Sequence, residues 1–214
     1  MTGHTDDESR FSPSRFFPMM AEKLETAPLA AQSEPQGDHV LNPDLADVPF
    51  SYRDAAVLVP VIAREPDVTV LLTVRTAHLS AHAGQIAFPG GKIDPSDGSP
   101  TAAAVRETEE EVGLDRAAIH PIGGLVPYLS RTGYRIFPIV ARVDPDFALT
   151  LNPNEVEEAF EVPLAFLMSP ENHRRGSRIF GGRSRAFYEI PFERHYIWGV
   201  TAGIIRGLYE QVCD

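Results

Sequence analysis

The chain has 214 residues, 43% hydrophobic and 23% charged, ordinary proportions for a globular domain with enough length for a substantial core. Nineteen basic residues against thirty acidic ones leave a formal net charge of −11, which speaks against a nucleic acid or an anionic membrane as partner, since either would want a basic patch. The one cysteine, Cys213, cannot form an intrachain disulfide, no apolar run approaches ~18 residues, and no basic-then-apolar leader is visible, so a reducing, cytoplasmic location is expected.

Residues 1–48 are rich in Pro, Ser, Ala and acids and read as an arm, partly disordered and dispensable for turnover, ahead of a domain over 49–214. Within the arm, SRFFPMMAEKLETA (14–27) predicts a short helix that lays Phe and Met side chains onto the domain. AAVLVPVIAR (55–64) and VTVLLTVR (68–75) read as paired strands around the turn at EPD. Residues 76–90 read as a loop with an extended piece at IAF. The segment from Thr101 to Val112 predicts a helix, with Ser99 as N-cap, Pro100 at its first position and Gly113 at its end.

Further along, IGGLVPYLS (122–130) and YRIFPIVARV (134–143) predict two strands around RTG. NEVEEAFEVPLAFLM (154–168) reads as a helix in two parts broken at Pro163, with acids near its start serving the helix dipole or, for Glu155 and Glu158, the site. SRIFGG and RAFYEI (177–190) predict a hairpin. HYIWGVTAGIIRGLYEQV (195–212) predicts a C-terminal helix with Ile197, Val200, Ile204 and Leu208 on one stripe. Strands with two major helices predict an α/β architecture, a mixed sheet sandwiched between helices.

The helix over 101–112 is poorly arranged for stability alone. Glu107, Glu110 and Glu111 fall on one face, repel one another, and crowd the negative end of the helix dipole. A solvated acidic face is one reading. A hard divalent cation, which seeks carboxylate and carbonyl oxygens, would reverse the penalty. The glycine-rich stretch 84–93 does not make a P-loop, because its glycines are spaced too far apart and Ile93 stands where Ser or Thr is needed.

Gly91, Arg106, Glu107, Glu110, Glu111, Gly113 and Leu114 match the Nudix box, with Thr108 at its apolar position; Asp97 stands for the usual Glu and eight residues separate it from Arg106. Upstream, LLTVRTAHLSAHAGQIAFPGG (71–91) is similar to the second motif of the coenzyme A pyrophosphatase branch of Nudix hydrolases, through Leu71, Leu72, Thr73, Arg75, His82, Gly84, Phe88, Pro89, Gly90 and Gly91. Thr76 stands where Ser or Ala is usual, and Ser80 where that branch usually has Arg.

The resemblance implies a Nudix-type α/β/α sandwich and metal-dependent cleavage of coenzyme A or its derivatives to phosphopantetheine and 3′,5′-ADP. Glu107, Glu110, Glu111 and the Gly90 carbonyl are the expected ligands of Mg²⁺ or Mn²⁺. Arg106 is expected to orient the carboxylates, and Glu155 to act as a base or extra ligand. Arg75, His82, Lys92, Arg131 and Arg135 are candidate substrate contacts. Alternatives are another nucleoside diphosphate compound, such as ADP-ribose or a dinucleotide, or a silent nucleotide-sensing module. The expected partner is a small nucleotide, with a homodimer left open.

Overall fold

The computed structural model describes residues 9–25, 35–43, 51–78 and 82–213. In chain order these form α1 (Pro13–Glu25), β1 (Gln36–Gly37), α2 (Asp38–Leu41), β2 (Arg53–Ile62), β3 (Thr69–Arg75), β4 (Ile86–Ala87), β5 (Gly90–Lys92) and α3 (Pro100–Val112). Then come β6 (Ile119–Gly124), β7 (Tyr128–Ser130), β8 (Tyr134–Val143), β9 (Val156–Pro163), α4 (Leu164–Leu167), β10 (Arg174–Phe180), β11 (Arg183–Phe192), β12 (His195–Trp198) and α5 (Val200–Cys213).

The nearly continuous apolar run of β2 has a simple cause: both faces of that strand are covered. β2 runs parallel to β8 over the whole span Arg53↔Tyr134 to Ile62↔Val143, and pairs antiparallel with β3 at one end and β5 at the other. The main sheet follows the order β1-β7-β8-β2-β3-β4, with β5 on β2, β6 on β8 and β9 on β3. It is mixed, since β1–β7 and β2–β8 are parallel and the rest antiparallel.

Two apolar layers flank this sheet. On one face Ala103, Ala104 and Val112 of α3 pack with Ala56, Leu58, Leu71 and Ile139. On the other, Ile204, Ile205 and Leu208 of α5 and Phe16, Met20 and Leu24 of α1 pack with Val59, Val70 and Leu72. The result is an α/β/α sandwich, the architecture that the resemblance implies. No helix among the described residues is long and apolar enough to cross a membrane.

Part of the segment set apart as an arm is built into this core. Phe16, Met20 and Leu24 recur every four residues, and the stripe they form is fully or almost fully buried. Gly123 on β6 makes room for it, because a β-carbon there would lie 2.8 Å from Leu24 Cβ. β1 extends the sheet beside β7. A boundary at residue 48 therefore does not separate these elements from the domain. Residues 1–8, 26–34 and 44–50 lie outside the described residues.

Three element predictions need correction. Residues 156–163 form a strand rather than a helix: Val156 and Val162 are buried, and pairing with β3 from Thr69↔Pro163 to Arg75↔Val156 outweighs the helical spacing of the acids. The stretch 122–130, expected as one strand, is divided between the end of β6 at Gly124 and β7 from Tyr128, with Pro127 in the break. Residues 195–198 pair with β11, and α5 begins only after Gly199, whose φ of 64° turns the chain. The hairpin expected over 177–190 is present as β10 and β11.

Candidate active site

α3 begins and ends as its sequence dictates. Ser99 Oγ accepts from the Ala102 N–H at 3.1 Å, Pro100 occupies the first turn, and Gly113 closes the helix at φ 68° with its N–H donated to Glu109 O. The last carbonyls would be orphaned against the core, but the loop before β9 meets them. Thr150 N–H donates to Val112 O and Asn152 N–H to Glu111 O, both at 2.9 Å. That same docking carries Glu155 toward the acidic face.

Glu111 is the centre of the site. Its side chain is buried, the residue being 3% exposed, at the junction of α3, β3 and β5. Oε2 accepts the Gly90 N–H at 3.1 Å, and Oε1 lies 3.6 Å from Arg75 Nη1. Burial pushes the carboxyl up to about 7; the Gly90 N–H and Arg75 work against this, while Glu155 and Glu107 add to it. The Glu107 carboxyl is also raised, again chiefly by burial, with Glu110 and Glu155 contributing. Glu155 is thus close enough to act on both.

The Gly-Gly pair is required by space on two sides. A β-carbon on Gly90, whose φ is 153°, would lie 2.4 Å from Ala56 O. One on Gly91 would lie 2.5 Å from Glu107 Cδ. Pairing of β5 with Ala55–Val57 brings both glycines onto the sheet beneath α3.

Arg106 is fully engaged. Nε and Nη2 hold Asp97 at 2.7 and 3.0 Å, Nη1 reaches Glu107 Oε1 and Glu110 Oε2 at 3.0 Å each, and Nη2 also donates to Lys92 O. Hydrogen bonds from Arg106 hold the Asp97 carboxyl below the usual carboxylate range, and the Asp94 N–H adds to this. Asp97 is the site residue that sequence reasoning passed over when naming candidates. Its signal is its place at the acidic position before the spacer.

The structure brings together Gly90, Arg106, Glu107, Glu110, Glu111, Glu155 and Arg75. Arg75 owes its position to a register shift in the β3–β9 pairing between Val74 and Arg75. Lys92 is exposed on β5, one residue from Gly91. His82 has φ 58°, and its Nδ1 lies 2.8 Å from Gln85 Oε1. Arg135 is taken by Asp54 in two bonds of 2.8 and 2.7 Å, which meet its charge. Arg131 follows β7, its N–H donated to Asp38. Glu158 is excluded from the cluster: its carboxylate pairs with Arg194 and His195, whose ring stacks on Phe160 on the α5 side of the sheet. Ser80 lies outside the described residues.

Among the described residues no three acidic, histidine or cysteine side chains already converge as a closed metal-binding set. The donors nevertheless suit a hard divalent cation. They are carboxylate oxygens, one of them buried and held costly by like charges. A cation would relieve that cost.

Residues 52–180, more than half of the chain, match the NUDIX domain family. The uncharacterized Nudix hydrolase NudL of Shigella flexneri serotype 5b (strain 8401) is 41% identical over 173 residues, covering 81% of this chain and 90% of that protein. NudL of Escherichia coli (strain K12) is 40% identical over the same shares. A crystal structure of a Nudix hydrolase from M. smegmatis, RenU, aligns with a TM-score of 0.46 and 23% identity, covering 55% of this chain and 74% of that one. The match of residues 52–180 to the family and the extent of the likeness to the NudL proteins place the chain in the Nudix family as a Nudix hydrolase.

Proposed function

We propose that this hydrolase cleaves the diphosphate of coenzyme A or a derivative, giving phosphopantetheine and 3′,5′-ADP with Mg²⁺ or Mn²⁺. The observation that carries this reading is the junction of the two sequence motifs at one carboxylate. Glu111 of the box receives the Gly90 N–H and faces Arg75, both from the upstream segment that is similar to the coenzyme A branch.

Glu107, Glu110, Glu111 and the Gly90 carbonyl would hold the divalent cation. When bound, it lowers the pKa of a water and neutralises phosphate charge. The chain's own residues do the rest. Arg106, tied to Asp97, fixes the orientation of Glu107 and Glu110. Glu155 accepts one bond from Asn152 Nδ2 through Oε1, which leaves Oε2 to take the proton of the attacking water. The water oxygen bonds to one phosphorus as the bridging P–O bond breaks, and the leaving phosphate carries off the electron pair. Arg75 and Lys92 are the cations for the diphosphate oxygens, which a chain of net charge −11 needs locally.

The test is a substrate panel on the full chain with Mg²⁺ and with Mn²⁺, products identified by mass spectrometry: coenzyme A, dephospho-coenzyme A, ADP-ribose and a dinucleotide polyphosphate. Coenzyme A should give phosphopantetheine and 3′,5′-ADP with a higher kcat/KM than ADP-ribose or the dinucleotide. Turnover of ADP-ribose or the dinucleotide with coenzyme A untouched would overturn the substrate assignment. Ser80→Arg adds a sharper arm. With Ser at that position, discrimination against dephospho-coenzyme A should be weak, and the Arg variant should restore it by roughly tenfold to a hundredfold.

A further inference from the structure

The β10–β11 hairpin is a cationic patch in an acidic protein. Residues 174–185 contain five arginines and no acid, while the chain as a whole carries −11. None of Arg174, Arg175, Arg178, Arg183 and Arg185 forms an ion pair with a described residue, whereas eight arginines elsewhere do. Arg178 and Arg185 stand directly opposite each other across the strands, an arrangement that costs stability. Averaging charge over the whole sequence hides this segregation.

Protection of a sheet edge explains only part of it. β10 is an edge strand of the β10-β11-β12 sheet, and charge there discourages pairing with other chains. Arg183 and Arg185 lie on β11 ahead of Glu189–Phe192, the span that pairs with β12, so edge protection covers them as well. Edge protection is contradicted by the tip. Ile179 is 77% exposed and Phe180 40%, held just before the two-residue Gly181-Gly182 turn, where both φ angles are positive.

The arrangement of rings separates two kinds of polyanion. Arg178 lies over Phe187, Tyr196 and Trp198, with its guanidinium carbon 4.6 Å from the Trp198 centroid, and Arg185 lies over Phe180. Ring faces that would stack nucleobases are therefore already covered by guanidinium groups. An exposed apolar tip flanked by cations is what a lipid interface rewards, headgroup phosphates meeting the guanidiniums and the tip entering the acyl boundary. We propose that the hairpin docks this hydrolase reversibly on an anionic lipid surface, with Ile179 and Phe180 in the interface, the arginines flanking the tip on headgroup phosphates, and Arg174 and Arg175, farther along β10, adding attraction at longer range. The remaining acidic surface is repelled, so the protein approaches hairpin first.

The test is flotation of the full chain with vesicles of phosphatidylcholine alone and of phosphatidylcholine with phosphatidylglycerol, with emission from Trp198, the single tryptophan, as a second readout. Binding is expected only to the anionic vesicles, weakening as salt rises, with a change in Trp198 emission. Arg174→Glu/Arg183→Glu, which leaves the Arg178 stack intact, should lower partition at least about tenfold. Ile179→Ser should lower it several-fold. Both variants should keep diphosphate hydrolysis in solution. No binding to the anionic vesicles overturns the proposal. So does equal binding to polyuridylate that Ile179→Ser leaves unchanged, which would assign the patch to nucleic acid.

Discussion

The carboxylate of Glu107 fills the space that a side chain on Gly91 would need: a β-carbon there would sit 2.5 Å from Glu107 Cδ and 2.6 Å from each oxygen. Gly91→Ala therefore should not break the sheet, since the clash is with the far end of a flexible side chain. It should push Glu107 away from Glu111. The expected result is a melting temperature close to wild type with Mn²⁺ affinity at least about tenfold weaker, measured by titration calorimetry. Gly90→Ala is the contrast. Its β-carbon meets Ala56 O and Val57 Cα, which are backbone and cannot yield, so a loss of roughly 1–3 kcal/mol in stability is expected in chemical denaturation. Equal effects of the two substitutions would show that Glu107 is not placed by Gly91.

Glu111→Gln keeps the shape of the side chain and removes its charge. With Mg²⁺ present, kcat should fall by at least about a hundredfold, because a charged ligand of the cation is lost. In the metal-free protein the effect on stability should have the opposite sign. Burial first, then the charges of Glu155 and Glu107, leave the folded carboxyl at about 7, against an ordinary value of 4.5. Between those values the folded state holds a proton that the unfolded state has released, so stability falls as pH rises from about 4.5 to about 7, and the penalty is fully present above that. The glutamine variant lacks the penalty. Metal-free Glu111→Gln should be more stable than wild type near pH 8, and the gain should vanish near pH 4. A gain independent of pH would point to packing instead of charge.

The site was legible because its chemistry is local in sequence. The caps Ser99 and Gly113, the glutamates of α3 and the Gly-Gly turn lie within 25 residues, and each follows from spacing and backbone rules. Glu155 arrives from a distant loop and was legible only as one acid among several. What separates it from Glu158 is the strand that replaces the expected helix: on β9 the carboxylate of Glu158 goes to Arg194 and His195 on the α5 side, whereas Glu155 stays in the loop that caps α3. Helical spacing of acids misread this stretch, because partners on β3 are invisible to local periodicity. Asp54 likewise could not be foreseen as the partner that takes Arg135, since the two meet only through the parallel β2–β8 register.

Phe16 and Met20 are fully buried between α5 and the sheet, so α1 should matter for stability whatever its distance from the chemistry. Phe16→Ala should cost about 3–5 kcal/mol and Met20→Ala about 2–5 kcal/mol. Chemical denaturation checks both. A truncated chain lacking residues 1–25 should melt at a much lower temperature, and its loss of turnover at assay temperature should track unfolding. Truncation without a change in melting would mean that α1 adds nothing to the core.

Arg75 is the cation nearest to the buried carboxylate, 3.6 Å from Glu111 Oε1, and a divalent ion on that oxygen would be repelled by it. Two consequences of opposite direction follow from one substitution. Arg75→Gln removes the repulsion, so Mn²⁺ should bind several-fold more tightly in the absence of substrate. The same change removes a phosphate contact, so kcat/KM for a diphosphate substrate should fall by roughly tenfold to a hundredfold, mostly in KM. Manganese affinity is read by electron paramagnetic resonance of the free ion, and KM by the rate of product formation. Arg75→Lys keeps the charge without the planar fork, so it should bind metal as wild type does and recover only part of kcat/KM. If Arg75→Gln loses metal affinity instead, the guanidinium supports the carboxylate's position, and the competition between the two cations at Glu111 does not exist.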